Sequence, residues 1–283
     1  MLKIFLYILS ASVFAACAHV GDVAEPYPDT PDFKNKIGII SSRGIQICDM
    51  HIHARGGVTP EVAARRESAT GIKSALVTNY GKDCEVDSES KLLDFLAQVK
   101  SVKIDGKHML AGVQVNDRDW HLKMSPETRA KFDFILADAL IIPHADGSST
   151  KLWEIKSVEN PQKWMEIYLA HNMRILDEPV TIFANPTYLP KPLQSMYDEL
   201  WTDERLEAFM SKAARKGIVL EIQAESFAQA NPRFLAAAKK HKVKFSFGSD
   251  NLTGRAQNLD SWVKAVELGN LTPSDFWTPP ERR

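Results

Sequence analysis

The sequence lacks several features that would place a protein in a class directly. Its formal net charge is only −1 and it has no run of basic residues, so no nucleic-acid partner is expected. Three cysteines in 283 residues are too few for a disulfide framework. No internal repeat or low-complexity run is visible. An apolar content of 44% permits a sizeable core, and the length suits one large α/β domain.

A long hydrophobic segment is also missing at the N-terminus. Residues 4–16 form an apolar run that follows Lys3 and is too short to span a bilayer as a permanent helix. The pattern predicts a signal peptide over residues 1–17, and therefore export. Phe14-Ala15-Ala16-Cys17 resembles a bacterial lipoprotein box with Cys17 as the acylated residue, whereas Ala16-Cys17-Ala18 fits ordinary signal-peptidase cleavage. The protein is expected in the periplasm or lipid-anchored to the outer membrane, with that anchor as its only membrane contact.

Strands and helices alternate along the rest of the chain. Residues 18–36, rich in Pro and Asp, predict a tether, and a single folded domain is expected over residues 37–283. Seven strand-like segments separated by helical ones predict a parallel sheet covered by helices. The residues that follow or end these strands are His53, Asn79, Asn116, Asp138, Asn185, Glu221 and Asp250. Their polarity favours a mouth on which they converge, hence a (βα)7 TIM-like barrel rather than an open sheet.

One connection is longer than a simple loop. Residues 145–178 contain a polar stretch with Lys151 and Trp153, followed by a predicted helix from about residue 161 to 177. We interpret the segment as an insertion into the barrel, with a lid over the mouth as the alternative.

The first predicted strand, within residues 44–57, carries the main chemical signal. With a period of two, one face holds Ile45, Ile47, Asp49, His51 and His53. That face is expected to point into the barrel, which leaves Cys48 on the helix-facing side. Two imidazoles one residue apart point the same way and can bind one cation. The pattern therefore predicts a metal site; a histidine pair that only hydrogen-bonds to its neighbours is the alternative.

Taken with the later strand ends, the motif resembles that of the PHP (polymerase and histidinol phosphatase) metallohydrolases, within the amidohydrolase-like group. Asp49-Met50-His51-Ile52-His53 matches the family's opening Asp-x-His-x-His. Three later segments look like the family's fourth, sixth and seventh strands: Phe132-Asp133-Phe134-Ile135, Leu220-Glu221-Ile222-Gln223 and Gly248-Ser249-Asp250. The likeness covers nearly the whole chain between Asp49 and Leu252. It implies a distorted seven-stranded barrel with metal-dependent hydrolase activity.

The departures from the family pattern fall on expected metal ligands. Acidic or histidine positions of the family are occupied here by Asn79, Tyr80, Gln114, Leu140, Asn185 and Leu252. Replacing Asp by Asn, Glu by Gln and His by Asn keeps the shape of the side chain while removing charge or basicity. Losing this many ligands should abolish a three-metal cluster. The sequence therefore predicts a degenerate site with one divalent ion, which could be Zn, Mn or Fe.

Roles follow for individual residues. The expected metal ligands are His51, His53, Gln114 and Asp250, with Asp49 and His144 as further candidates. The expected catalytic carboxylates are Asp250, Glu221 and Asp138. The candidates for contacting a small, possibly anionic substrate are Arg55, Asn79, Asn116, Arg118, Asn185 and Tyr188. For most of these positions a solvated charge or a mouth hydrogen bond is an equally simple interpretation.

Two functions from different classes remain open. The first is an exported hydrolase whose single ion activates water against a phosphoester or another small ester or amide bond. The second is a catalytically inactive PHP-like barrel that binds a small polar ligand such as a sugar, as the neutralised positions suggest. An amidohydrolase or lactonase is a weaker third hypothesis, because no strand-four Lys is evident.

Overall fold

Seven strands form the centre of the molecule. The computed structural model describes residues 30–280 except 83, 145, 225–226 and 251–258. The barrel strands are β1 Cys48–His53, β2 Lys73–Tyr80, β3 Leu110–Val115, β4 Phe134–Asp138, β5 Ile182–Ala184, β6 Val219–Gln223 and β7 Phe245–Gly248. All neighbours are parallel and follow chain order around a closed ring, so β1 pairs with both β2 and β7. The predicted (βα)7 barrel is confirmed.

Helices cover the outside of the ring. They are α1 Pro31–Ser41, α2 Pro60–Thr70, α3 Glu89–Ser101, α4 Pro161–Ile175, α5 Asp203–Lys216, α6 Pro232–Lys240 and α7 Asp260–Leu268. One-turn helices lie at Trp120–Lys123, Pro126–Arg129 and Tyr197–Leu200. No helix in the described part of the chain is long and apolar enough to cross a membrane.

Two apolar cores lie on the two sides of the strands. The inner core consists of Met50, Ala75, Val77, Phe134, Leu136, Ile182, Ala184 and Val219. Trp277, from the C-terminal segment, packs against this core, and its backbone N–H donates to the Phe245 carbonyl at the start of β7 (2.8 Å). The lower end of the barrel is therefore closed by side chains, and the opposite end, where the strands finish, is left for a site.

β1 does not alternate regularly. Asp49 pairs with Ser74 of β2, but Ile52 pairs with Leu76, so three steps along β1 match two along β2. This is a β-bulge, and its extra residue reverses the inward and outward faces partway along the strand.

The bulge corrects several expectations about the two faces of β1. Asp49, predicted to point inward, points outward toward α2. Ile45 and Ile47 belong to the outer core, so they do not fill the barrel interior. Cys48, predicted to face the helices, packs against the inner core instead. A period of two fails here because it assumes an unbroken ladder.

The folded region begins earlier than predicted. Thr30 caps α1 by accepting a hydrogen bond from the Phe33 N–H, and Phe33 and Ile40 are buried. Lys36 pairs with Asp260 at the start of α7 (2.7 Å). The expected tether is therefore wrong at its C-terminal end, since part of residues 18–36 is helix. The predicted signal peptide and Cys17 lie outside the described residues.

The segment predicted as an insertion has two parts. An antiparallel hairpin, Ile141–Pro143 with Ser149–Lys151, leads into a short 3₁₀ turn at Leu152–Glu154. The following α4 packs against α5 and the Tyr197–Leu200 turn. It belongs to the outer helix layer as the ordinary crossover from β4 to β5. The lid alternative therefore does not apply to this helix.

Candidate metal centre

His51, His53 and Asp250 meet at the upper end of the barrel. The Nε2 atoms of the two histidines lie 3.2 Å apart. Asp250 Oδ1 is 3.0 Å from His53 Nε2 and 3.6 Å from His51 Nε2. Both imidazoles are buried, whereas the Asp250 side chain is 31% exposed, so the group opens toward solvent on the Asp250 side. The pairing of β1 with β7 brings these distant positions together.

The three ligand atoms fit one tetrahedral ion. Zinc bonds to His and Asp measure about 2.0–2.2 Å, which places neighbouring ligands of a tetrahedron roughly 3.3 Å apart. The three separations of 3.2, 3.0 and 3.6 Å match that edge length. Gln114 Oε1, 3.0 Å from His51 Nε2, offers a neutral oxygen nearby. The residues present therefore suit a single divalent cation, and two imidazoles with a carboxylate are suitable donors for it.

Glu221 holds His51 in the orientation that metal binding requires. Its Oε1 lies 2.7 Å from His51 Nδ1, which leaves Nε2 facing the other ligands. Its Oε2 accepts a hydrogen bond from the Asn185 N–H (2.8 Å). Because Oε1 contacts the Nδ1 of a ligand histidine, Glu221 acts on the site through His51 as a positioning residue, and the predicted catalytic role at this position is not supported. A carboxylate behind a metal-binding histidine fixes its tautomer and ring orientation.

The charges around the ligands are mostly negative. Burial by itself would lower the pKa of His51, but the carboxylates of Glu221, Asp250 and Asp138 outweigh it and raise that pKa to about 10. Burial lowers the pKa of His53 to about 4, and a charged His51 acts in the same direction. The surroundings stabilise one positive charge at this place, as expected of a cation site.

Asp138 lies beside the ligands without joining them. Its Oδ1 accepts from the Leu140 N–H (2.8 Å), and its Oδ2 accepts from the side-chain amides of Asn185 (3.2 Å) and Gln114 (3.4 Å). Burial, helped by the charge of Asp250, raises the pKa of Asp138 to about 7. A carboxyl group that exchanges its proton near neutral pH is suited to general acid or base chemistry.

Asp49 is not part of the ligand set. Its Oδ2 accepts a hydrogen bond from Arg66 Nη2 of α2 (2.7 Å). Its Oδ1 accepts from the N–H groups of Ser249 (2.9 Å) and His51 (3.3 Å). The prediction of a further metal ligand at Asp49 is therefore wrong, because the bulge in β1 turns this residue outward. It ties β1 to the residue that precedes Asp250.

A cavity of about 490 Å³ opens beside the ligands. Of the predicted substrate contacts, Asn185 and Tyr188 line it, together with Asp250. Arg55 is exposed, and its charge lowers the pKa values of both His53 and Asp250, so it lies near the mouth. Asn79 pairs in register with Gln114, and its buried Oδ1 has no hydrogen-bond partner among the described residues.

Three predicted site residues have other roles. Arg118 is buried; its Nη1 lies 3.4 Å from Glu178 Oε1, and its Nη2 donates to the carbonyls of Val115 (3.1 Å) and Asn116 (2.9 Å). Arg118 therefore stabilises the end of β3 and does not line the cavity. Asn116 accepts a hydrogen bond from Arg118 through its backbone carbonyl, and its side chain does not line the cavity either. His144 is exposed in the turn of the hairpin, where its Nε2 lies 2.7 Å from Thr150 Oγ1. It is not among the ligands brought together.

Sequence reasoning missed several residues of the cavity. These are Gln194, Tyr197, Gln223 and Asn231. Gln223 is the last residue of β6. The expectation that polar residues at strand ends face the mouth, which selected Glu221, could have selected Gln223 as well. Asn231 was visible as the cap of α6, a role that hides its nearness to the site. Arg66 gave no signal, since nothing in an amphipathic helix marks one arginine as buried against β1.

The chain forms a seven-stranded parallel ring with a His-His-Asp cluster at its mouth, and the barrel fold implied by the sequence resemblance is confirmed. Neither the family models nor the curated proteins match the chain. Among solved structures, it is similar to histidinol phosphate phosphatase from Lactococcus lactis subsp. lactis in complex with Zn, L-histidinol and phosphate. The TM-score is 0.58 at 16% identity, covering 82% of this chain and 95% of that one.

Proposed function

We propose that this protein is an exported metal-dependent hydrolase that uses one divalent ion to cleave a phosphoester in a small molecule. The observation that carries the proposal is the group of three ligand atoms, separated by 3.0–3.6 Å and fixed from behind by Glu221. An ion in this group would lower the pKa of a bound water and polarise the oxygen of the reacting bond.

The surrounding residues have distinct tasks in such a reaction. His51 and His53 bind the ion, and Asp250 completes the set from the solvent side. Asp138, with its pKa near 7, holds or accepts a proton next to the ligands. Arg55 supplies positive charge near the mouth, which favours an anionic substrate. The phosphate in the similar phosphatase structure supports a phosphoester as the substrate class.

A single ion is supported by the positions that have changed. Leu140 offers no ligand atom, and Asn185 uses its amide to bind Asp138. Asn79 and Gln114 lie side by side on β2 and β3, at positions where the resemblance to the PHP family implies carboxylates. Neutral oxygens bind a divalent ion far more weakly than carboxylates do.

Metal analysis tests the proposal. We expect about one equivalent of Zn, Mn or Fe in the purified mature chain and little in a His51→Ala/His53→Ala double variant. His144→Ala is the matched control, because His144 is an exposed histidine outside the ligand group, and it should retain the metal. Equal metal in the wild-type protein and the double variant would exclude the site. Hydrolysis of p-nitrophenyl phosphate should be lost in Asp250→Asn.

Export is tested separately. If Cys17 is acylated in the native host, mass spectrometry of the N-terminus should show that residues 1–16 have been removed. The protein should also incorporate labelled palmitate, and this label should be lost in Cys17→Ala. An unlabelled periplasmic protein would instead support ordinary signal cleavage, and an intact N-terminus in the cytoplasm would contradict export.

Binding without catalysis is the second candidate function. It is favoured by one observation: both oxygens of Glu221 and both oxygens of Asp138 are hydrogen-bonded, so Asp250 is the carboxylate in the described site that faces the cavity. Metal binding with no turnover across a phosphatase, esterase and lactonase screen would support this function. Turnover that depends on Asp250 would exclude it.

A further inference from the structure

The cavity beside Asp250 has an unusual lining for the surroundings of an anion-cleaving site. Its polar wall consists of Asn185, Gln194, Gln223, Asn231 and the tyrosines Tyr188 and Tyr197. Among the described side chains that line it, Asp250 alone carries a charge, and Asp250 belongs to the metal group. No lysine or arginine of the described residues lines the cavity. A phosphate bound there, away from the metal group, would therefore find no cationic side chain.

Three side chains offer polar atoms to the cavity. Asn231 Oδ1 accepts from the Arg233 N–H at the start of α6, which leaves its amide nitrogen without a described partner. Gln194 donates from Nε2 to the Leu189 carbonyl (3.2 Å), which leaves its carbonyl oxygen as an acceptor. The Tyr188 hydroxyl has no hydrogen bond to any described residue, although its ring is half-buried. The Asn231 amide can donate a hydrogen bond, the Gln194 oxygen can accept one, and the Tyr188 hydroxyl can do both. Such a set matches the hydroxyl groups of a neutral ligand, which also donate and accept.

The loop that presents Tyr188 is strained. Asn185 and Thr187 adopt left-handed φ angles of +48° and +59°. A β-branched residue such as Thr is rarely found there, and such conformations cost of order 1–3 kcal/mol and cluster at ligand-binding sites. Thr187 is held by the Tyr197 hydroxyl, which donates to its Oγ1 (2.9 Å), and Tyr197 itself lines the cavity. The same contacts that maintain the strain also shape the wall.

From these features we propose that the cavity binds an uncharged, hydroxyl-rich group of the sugar or polyol type. Amides and hydroxyls would bind its OH groups, and the tyrosine rings would pack against its C–H face. Identifying this group as the alcohol part of a phosphoester substrate, with the ester bond beside Asp250, rests on the proposed function. The binding itself does not depend on turnover.

Isothermal titration of the full mature chain tests the inference. The probes are myo-inositol and D-glucose as neutral polyols, with L-histidinol and inorganic phosphate as charged comparisons. We expect at least one polyol to bind. Tyr188→Phe should weaken its binding about threefold to tenfold, because one hydroxyl hydrogen bond is lost. Gln194→Glu removes the Nε2 donor that holds this side chain to the Leu189 carbonyl, so it should displace the acceptor oxygen and also weaken binding, which keeps the test valid if one variant misfolds.

Gln98→Glu is the matched control, since it makes the same change on the exposed face of α3 and should leave polyol binding at the wild-type value. Failure of both polyols to bind would overturn the inference, as would equal binding in wild type, Tyr188→Phe and Gln194→Glu. If the protein hydrolyses nothing but binds a polyol, the proposed function fails and the inference stands. If it hydrolyses a phosphoester and binds no polyol, the reverse holds.

Discussion

At the scale of single residues, Gly248 leaves the space that Glu221 and His51 occupy. A Cβ at this position would lie 1.9 Å from Glu221 Oε1 and 2.9 Å from His51 Cβ. Gly248→Ala should therefore displace the carboxylate that orients His51. We expect metal affinity to fall roughly 10-fold to 100-fold, as for other losses of such a partner, in a competition assay with a chelating dye.

Gly38→Ala provides the control, because nothing lies within 4 Å of a Cβ at this position in α1. It should leave metal affinity unchanged and raise helix stability slightly. Wild-type affinity in Gly248→Ala would show that Glu221 can move without loss and that its contact with His51 is incidental.

His171, on α4, gives a prediction about pH. Burial, and then the charges of Arg118 and Arg174, lower the pKa of His171 from 6.5 to about 4. Between these values the unfolded chain binds a proton at this position and the folded protein does not, so stability falls as the pH drops from about 6.5 toward 4. From pH 7.5 to pH 5 this residue should remove on the order of 2 kcal/mol from the free energy of unfolding.

Urea unfolding at the two pH values measures the effect. In His171→Gln the loss of stability between pH 7.5 and pH 5 should be smaller by that amount, whatever the variant's stability at pH 7.5. An identical pH dependence in both proteins would mean that His171 accepts a proton as readily when folded as when unfolded.

At the scale of elements, the contact between β1 and α2 carries a buried charge pair. Asp49→Asn keeps an oxygen for the Ser249 N–H but removes the charge that Arg66 binds. Removing the carboxylate from a buried ion pair typically costs about 3 kcal/mol, so the free energy of unfolding should fall by about that much. Urea denaturation measures it, and Asp49→Asn/Arg66→Met should recover a large part of the loss. A single variant as stable as the wild type would contradict the pairing.

Regular elements with clear end signals could be predicted well from the sequence. Thr59, Pro60 and Gly71 define α2 by a cap, a first-turn proline and a left-handed stop, and the structure has the helix between these residues. β2 also lies where its apolar run predicts. Such signals are local, so they can be read without knowledge of the fold.

The site was predicted only where a regular period and chain order sufficed. His51 and His53 share the upper end of β1, and Asp250 was expected beside them from the resemblance to the PHP family together with ring closure. Asp49 was misplaced because a bulge depends on the partner strand, which the sequence of β1 does not show. Arg118 was misplaced because its partner, Glu178, is distant in sequence. Long-range partners decide whether a charge is buried or exposed.

At the scale of the whole molecule, α1 extends the folded unit beyond the barrel. Phe33 is only 6% exposed, so Phe33→Ala should destabilise the protein by about 3 kcal/mol. Thermal and urea unfolding measure this, with Leu268→Ala as a control because that side chain is 50% exposed. A neutral Phe33→Ala would support the tether predicted from the sequence. Metal content should stay unchanged in both variants, since neither residue is a ligand.

The seam between β1 and β7 has a consequence for how the protein matures. Ser249 donates its N–H to Asp49, a residue 200 positions earlier in the chain, and Asp250 follows directly. A chain that ends between β1 and β7 carries both histidines but lacks the carboxylate that completes their group. Stable binding of an ion by all three ligands would therefore require the complete ring.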